Sequence, residues 1–226
     1  MKTARLTIAL LFILMCAISV GAGAQTILAQ WDPFGDTEMN WNSLTGFRNN
    51  YLLAQTFQVT TAGIVGSIDA TVEIGSGENP SATIIFEIRN TYMSALNGLQ
   101  PDFRAGAQAL YSGQILPSDS QFAQSSPSWK NIPVSPVGGT TSELQEDVHY
   151  ALVAHSDSDL EYFWRCPTGG VGYPDGIGLA GWAGDEISEQ SWEYPFRVNG
   201  AVPEPASLLT LGSGLLGLIG FIRRKR

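Results

Sequence analysis

Apolar and polar residues alternate with a period of two along much of the chain after residue 52. The clearest runs are residues 57–59, 68–74 and 84–88, where every second residue is apolar and most of those between are polar. Because successive side chains of a strand point to opposite faces, these runs predict half-buried β-strands. Shorter runs predict further strands at residues 109–116, 129–134, 150–156, 162–165, 179–183 and 195–198.

The segments between these runs predict turns and loops. Residues 25–50 show no sustained period, and we expect an irregular entry segment with Trp31, Phe34 and Trp41 packed at the domain edge. Residues 91–107 predict a long loop, and the glycine-rich residues 167–178 predict a turn. No helical period longer than two turns precedes Pro205. About nine short strands without a helix predict an all-β fold, an antiparallel, jelly-roll-like β-sandwich.

The first 24 residues have the layout of a secretory signal peptide. Lys2 and Arg5 precede an apolar run over residues 6–20, and small residues follow at 22–24. This arrangement predicts cleavage between Ala24 and Gln25. The domain predicted over residues 25–200 is therefore expected to face away from the cytoplasm.

The last 26 residues, 201–226, contain three consecutive features. Pro203, Glu204 and Pro205 come first, and two prolines keep the backbone extended and outside a following helix. Residues 206–222 carry no charge and would span roughly 25 Å as a helix, which predicts a transmembrane segment. A basic tail then predicts the cytoplasmic end; it consists of Arg223, Arg224, Lys225 and Arg226. As a core helix in water, this segment would lose about 1 kcal/mol for each of its four glycines.

This three-part terminus resembles the PEP-CTERM sorting signal of exported proteins of Gram-negative bacteria. The resemblance implies an inner-membrane precursor that is recognised through Pro203, Glu204 and Pro205. The partner it implies is an exosortase, a membrane-embedded cysteine transpeptidase that cuts near the motif and transfers the exported part to an envelope acceptor. It also implies an association with exopolysaccharide or biofilm.

The predicted domain is similar to a second family, the exported choice-of-anchor β-sandwich domains. The resemblance rests on LAQTFQV at residues 53–59, SIDATVEI at 67–74, YALVAHS at 150–156, YFW at 162–164, Trp192 and FRVNG at 196–200. It implies an extracellular module that precedes a C-terminal anchor and has no assigned chemistry.

The charge of the chain argues against nucleic acid and anionic lipid as partners, and its cysteine content argues against a disulfide-stabilised fold. Residues 25–222 contain six Lys and Arg against all 21 Asp and Glu, a formal charge of −15. Such a chain is repelled by nucleic acid and by anionic lipid. After leader removal Cys166 is the remaining cysteine, so no internal disulfide can form and a hydrophobic core must stabilise the single domain.

The acidic residues offer weak candidates for calcium ligands. Asp157, Asp159 and Glu161 lie at alternate positions after a predicted strand, a spacing that can present carboxylate oxygens to Ca²⁺. A second loose cluster comprises Asp32, Asp36 and Glu38. Carboxylates in loops are usually solvated, so no metal or other cofactor is assigned.

The sequence offers little support for hydrolytic catalysis. It contains no G-x-S-x-G motif, and its two histidines, His149 and His155, are expected on the solvent side of one strand. We interpret Cys166 as a buried structural thiol because no neighbouring residue would activate it. These observations predict that the protein is not an enzyme.

Aromatic residues allow a carbohydrate-binding alternative. Trp129, Trp164, Trp182, Trp192 and Tyr173 are numerous for one domain, and sugars stack on exposed rings. Most such rings nevertheless fill the core of a sandwich. The leading hypothesis is therefore a non-enzymatic, exosortase-sorted envelope or matrix protein. A carbohydrate-binding module is the alternative, and a polysaccharide-modifying enzyme ranks third.

Overall fold

A computed structural model describes residues 25–33, 43–74, 82–96, 98–122, 129–158, 162–167, 173–183 and 187–201. These residues form fourteen strands: β1 (Ile27–Trp31), β2 (Ser43–Phe47), β3 (Tyr51–Gln58), β4 (Val65–Ala70), β5 (Val72–Ile74), β6 (Ile84–Ser94), β7 (Gly98–Pro101), β8 (Tyr111–Ile115), β9 (Lys130–Pro136), β10 (His149–Ser156), β11 (Tyr162–Cys166), β12 (Gly178–Trp182), β13 (Ser188–Glu189) and β14 (Phe196–Gly200). Short 3₁₀ turns occupy Ser120–Phe122 and Val137–Gly139. The predicted all-β class is confirmed.

No helix in the described ranges is long and apolar enough to cross a membrane. The predicted leader (residues 1–24) and the predicted transmembrane helix (206–222) both lie outside these ranges. Both therefore stay predictions. Within the described residues, Thr26–Ala201 forms one compact unit.

The strands pair into one large sheet and one small sheet, and every pairing is antiparallel. The large sheet has the order β1-β14-β4-β9-β8-β6-β10-β3-β12-β13, with β7 paired to β6, and the small sheet has the order β2-β11-β5. This arrangement confirms the predicted antiparallel sheets.

Aromatic contacts join the layers of this sandwich-like fold. The Trp164 ring of the small sheet lies 5.2 Å from the Phe86 ring of β6, measured between centroids. Phe57 on β3 and Phe196 on β14 come from distant strands of the large sheet, yet their centroids are also 5.2 Å apart. The large sheet therefore brings its two halves together around one core.

The alternation seen in the sequence identifies the residues of this core. On β6 the buried apolar side chains are Ile84, Phe86 and Ile88, as their period of two predicts. On β10 the apolar residues of the same core are Tyr150, Leu152 and Ala154. Burial of these side chains removes apolar surface from water and supplies the main driving force for folding.

The opposite face of strands β3 and β10 is also buried, which the expectation of half-buried strands missed. A second apolar cluster there consists of Leu52, Ala54, Ala151, Val153, Leu179 and Ile187. Partly buried Phe103 and Ile177 pack against it. The Gln100 side chain on β7 accepts a hydrogen bond from the Ile187 backbone N–H at 3.2 Å. This bond links β7 to the residue directly before β13. The short apolar run at 151–154 is thus a strand buried on both faces.

The irregular segment expected at residues 25–50 is wrong, since it contains β1 and β2. Strand β1 pairs with β14, so its hydrogen-bonding partners lie far away along the sequence. Trp31 is 7% exposed and belongs to the core rather than to the domain edge. Phe34 and Trp41 lie outside the described residues.

Two further expectations about strands need correction. The long loop expected at 91–107 instead begins with a hairpin, because β6 continues to Ser94 and pairs with β7. The single strand expected at 67–74 is divided at Thr71 into β4 of the large sheet and β5 of the small sheet. The Thr71 hydroxyl donates to the Arg165 carbonyl at 3.3 Å, and the Arg165 N–H donates to the Thr71 carbonyl at 3.0 Å. These bonds hold the chain where it passes between the sheets.

Candidate functional site

Two of the five aromatic candidates for sugar binding lie in the core. The Trp164 side chain is fully buried, its ring stacks on Tyr194, and its indole N–H donates to the Pro195 carbonyl at 3.1 Å. Tyr173 is 7% exposed and contacts the Trp31 and Phe196 rings. Neither ring presents a face to a ligand.

Trp129 and Trp192 are half-buried and already contacted by other side chains. The Arg197 guanidinium lies 4.5 Å from the centroid of the Trp129 ring and covers one of its faces. The Trp129 indole N–H is shielded from solvent and meets no acceptor in the described part of the chain. Trp192 packs against the main core and donates from its indole N–H to the Tyr194 hydroxyl at 3.3 Å. Both rings therefore serve local packing.

Trp182 differs from the other four because half of its side chain is exposed. It ends β12, where the Tyr51 ring packs edge-on against it with centroids 5.2 Å apart. The Arg48 guanidinium lies 5.4 Å from the Trp182 centroid. We call Arg48, Tyr51 and Trp182 the Trp182 platform. An exposed indole beside a cation and a phenol can stack on a sugar ring and bond to its hydroxyls.

A second candidate site carries amide and carboxylate side chains on the face of β4, β9 and β14 opposite the main core, where Ser67 and Asn199 are buried and Asn131 is exposed. The Asn131 amide donates to Asp69 Oδ1 at 2.6 Å and to the Ser67 hydroxyl at 3.0 Å. The Asn199 amide donates to Asp69 Oδ2 at 2.9 Å. We call Ser67, Asp69, Asn131 and Asn199 the amide face. The two amides fix the Asp69 carboxylate in place.

An open depression of about 620 Å³ adjoins the amide face and shares Asn131 with it. Its lining residues are Gln114, Ile115, Leu116, Ser118, Asp119, Gln121, Asn131 and Pro133. The Gln121 side chain bonds the Asn131 backbone twice, accepting from its N–H at 2.7 Å and donating to its carbonyl at 3.1 Å. No periodic pattern in the sequence signals this depression, because residues of two strands, a turn and a 3₁₀ turn contribute to it.

The structure describes one of the three calcium candidates in the 157–161 loop. Asp157 Oδ1 accepts a hydrogen bond from the Thr83 N–H at 2.6 Å, so this carboxylate already supports the start of β6. Asp159 and Glu161 lie outside the described residues, as do Asp36 and Glu38 of the second cluster. Among described residues no group of three or more His, Cys, Asp or Glu is placed to hold a metal ion. The calcium site stays a prediction.

The two histidines are half-buried rather than open to solvent. His155 Nε2 lies 4.0 Å from Glu87 Oε1, and the other Glu87 oxygen accepts from Arg89 at 2.8 Å. Burial raises the pKa of the Glu87 carboxyl, but His155 and Arg89 outweigh this effect and the pKa lies below its usual value. Glu87 is therefore charged and paired at neutral pH. The Cys166 thiol is fully buried, as expected of a structural cysteine.

Glu193 is a candidate that sequence reasoning missed. Its carboxylate accepts a hydrogen bond from the Tyr173 backbone N–H. Burial, with a smaller contribution from the charge of Glu189, raises the pKa of Glu193 to about 7. Burial also raises the pKa of the Tyr173 hydroxyl to about 12. A carboxyl whose pKa lies near neutral pH can transfer protons, so Glu193 is a candidate for acid–base chemistry.

The two ends of the body meet at one edge of the large sheet. The Gly200 N–H on β14 donates to the Thr26 carbonyl beside β1 at 2.6 Å. The next residue, Ala201, donates from its N–H to the Ile64 carbonyl at 2.8 Å. The predicted sorting residues Pro203, Glu204 and Pro205, and the basic tail after them, lie outside the described residues.

The fold defines the class as an all-β protein of antiparallel sheets with a sandwich-like core. Residues 201–226 match the family model for the PEP-CTERM protein-sorting motif, so the resemblance inferred from the terminus is confirmed. The chain is thus an exported, membrane-processed protein, and its sorting partner is an exosortase. Comparison with curated proteins found no significant match. The resemblance to choice-of-anchor domains stays a prediction.

Proposed function

We propose that this exosortase-sorted protein is a non-enzymatic component of the envelope or extracellular matrix of a Gram-negative bacterium. The observation that carries the proposal is the sorting motif at residues 201–226 joined to a body with a main core and a second apolar cluster. In this proposal the body is cargo displayed outside the cell, in contact with exopolysaccharide.

The environment of the potentially reactive side chains supports a structural role. Glu87 is paired with Arg89 and His155, and Asp69 is held by two amides. The Cys166 thiol is inaccessible to a substrate. These groups stabilise the fold, and a group committed to such bonds is poorly placed to move protons or attack a substrate.

Cell fractionation combined with removal of exopolysaccharide tests this role. The processed protein should be recovered with the outer surface or matrix of the producing cell, and mutants that make no exopolysaccharide should release it into the medium. Recovery of the processed protein in the periplasm, whether or not the polysaccharide is present, would contradict the proposal.

A carbohydrate-binding module is the second candidate, and the Trp182 platform favours it. Its half-exposed indole lies beside Arg48 and Tyr51, which can add hydrogen bonds to a stacked sugar. A glycan array on the protein should show specific binding that Trp182→Ala removes. Trp192→Ala is the matched control, because Trp192 is half-buried and packs on the core.

A polysaccharide-modifying enzyme ranks third, and Glu193 is the residue that would support it. The raised pKa of its carboxyl suits a general acid. Polysaccharide cleavage that Glu193→Gln abolishes without loss of folding would promote this alternative above the other two.

A further inference from the structure

Two exposed isoleucines lie near Ala201, the last residue of the body that the structure describes. Ile27 on β1 is 40% exposed, and Ile64 directly before β4 is 46% exposed. Ile27 is the register partner of Asn199, and the Ile64 carbonyl accepts the Ala201 N–H at 2.8 Å. Both therefore lie beside Asn199 and Ala201, among the last residues that the structure describes before the sorting motif.

The segments that form this edge carry no charge, although the chain is strongly acidic. Residues 26–27, 63–65 and 200–201 contain no Asp, Glu, Lys or Arg, whereas residues 25–222 have a formal charge of −15. Glu143 adjoins the edge, since its neighbour Leu144 forms a β-bridge with Gly63. An uncharged surface with exposed apolar side chains is typical of an interaction site.

The short distance along the chain determines which partner must come close to this edge. Pro203 follows Ala201 by two residues, and two residues of extended chain span at most about 7 Å. An enzyme that binds Pro203, Glu204 and Pro205 must therefore approach Ala201 and the strands that hold it.

We propose that the sorting exosortase contacts the folded body through this edge as well as through the motif. The tail-exit edge comprises residues 26–27, 63–65 and 200–201, and Ile27 and Ile64 provide its apolar contacts. The inference rests on the sorting function and adds a second recognition element to it. Because β1 must pair with β14 to form the edge, the enzyme then acts faster on a folded body than on an unfolded one.

The double variant Ile27→Ser, Ile64→Ser tests the contact in the full-length chain. In a host with the sorting enzyme, a pulse-chase should show tail removal slowed about tenfold, the scale expected when two apolar contacts leave an interface. The matched control is Met93→Ser, Leu96→Ser at the β6–β7 hairpin, where the side chains are 74% and 86% exposed. That control should be processed at the native rate. Equal rates for the two double variants would overturn the proposal.

A flexible insertion tests whether the contact depends on the short tether. Ten Gly and Ser residues between Ala201 and Val202 add a mean separation of roughly 17–19 Å. The enzyme can then bind the motif without contacting the edge, so the native chain and the Ile27→Ser, Ile64→Ser variant should be processed at equal rates. A difference that persists with the insertion would contradict a contact at the tail exit.

Detergent distinguishes the enzyme from the lipid surface as the partner. If the edge contacts the exosortase, the slower processing of the double variant should persist when substrate and enzyme are both in detergent micelles. Slowing confined to native membranes would assign the contact to lipid and overturn the proposal.

Glu204→Ala separates failure of this inference from failure of sorting. If the native chain is processed and Glu204→Ala is not, sorting stands whatever the isoleucine variants do.

Discussion

The Trp164 indole stacks on the Tyr194 ring, with centroids 4.9 Å apart and an interplanar angle of 26°. Trp164 belongs to β11 of the small sheet, and Tyr194 lies just before β14 of the large sheet. Both side chains are fully buried. This pair therefore joins the small sheet to the segment that leads to the last strand and the sorting motif.

Replacing Trp164 should destabilise the body far more than replacing exposed Trp182. We expect Trp164→Ala to lower the free energy of unfolding by about 3–5 kcal/mol, because it leaves a cavity and removes the bond to Pro195. Trp182→Ala should cost about 1 kcal/mol or less, since its site is open to solvent. Urea unfolding of the two variants measures the difference. Similar losses for both would show that Trp164 is not a core residue.

The body should fold without its leader and tail. Residues 25–201, produced alone, should be monomeric, with a β-type circular dichroism spectrum and a cooperative melt. Reductant should leave the melt unchanged, since the buried Cys166 is the remaining cysteine. A strong helical signal, or a melt that reductant shifts downward, would contradict this prediction.

The alternation of apolar and polar residues predicted strands that pack one face against the main core. β10 and the first half of β6 were placed correctly because Tyr150 and Leu152 on one strand, and Ile84, Phe86 and Ile88 on the other, repeat every second residue. β1 was missed because the run 27–31 is short and its partner β14 is distant in the sequence. Pairing between distant segments leaves no local pattern.

The chemistry of the candidate sites also depends on contacts between distant segments, which local sequence patterns do not show. Glu193 acquires its raised pKa from burial beside the Tyr173 segment, which no local residue pattern signals. The exposure of Trp182 likewise results from its position at the end of β12, whereas Trp164 in the middle of β11 is buried. The sorting motif was recognisable because its three parts follow one another directly along the chain.

The raised pKa of Glu193 predicts that the body is more stable in mild acid than at neutral pH. Its folded-state pKa of about 7 exceeds the usual value of 4.5, so the folded protein binds the proton more tightly. The resulting stability is fully present below about pH 4.5 and is lost as the pH rises through about 7. After allowance for solvent screening, the change should be on the order of 1 kcal/mol.

Melting temperatures between pH 4.5 and 8 measure this effect and its source. Glu193→Gln should flatten the dependence over this range, because the amide keeps an acceptor for the Tyr173 N–H and cannot titrate. Glu189→Gln, at an exposed site, should retain most of the pH dependence of the melting temperature. The lowered pKa of Glu87 acts at more acidic pH and should not obscure the result. An unchanged slope in Glu193→Gln would assign the effect to other groups.

Calcium binding at the 157–161 loop predicts a chelator-sensitive melt. Calcium at a concentration of about 100 times its dissociation constant would add ~2.7 kcal/mol to the free energy of unfolding. Asp159→Ala should abolish the difference in melting temperature between calcium and chelator. Asp157→Ala should destabilise the body in either condition, because its carboxylate bonds the Thr83 N–H. A melt that is identical with calcium and with chelator would exclude the site.

Deletion of Arg223, Arg224, Lys225 and Arg226 should disturb retention of the precursor. The cationic tail is expected to hold the cytoplasmic end of the apolar segment, since its charges do not cross lipid. Membrane fractionation should therefore find less precursor in the inner membrane, or find it in the wrong orientation by protease accessibility. Normal retention and orientation would contradict this role of the tail.

The central claim is that Pro203, Glu204 and Pro205 direct processing by a sorting enzyme. Glu204→Ala changes neither the length of the apolar segment nor the charge of the tail after it, so membrane insertion should persist while processing stops. The most direct measurement is the mass of the tagged protein from a host that contains the exosortase. The native chain should lose its tail, and Glu204→Ala should stay full length in the inner membrane. If both chains mature to the same mass, the motif does not direct sorting.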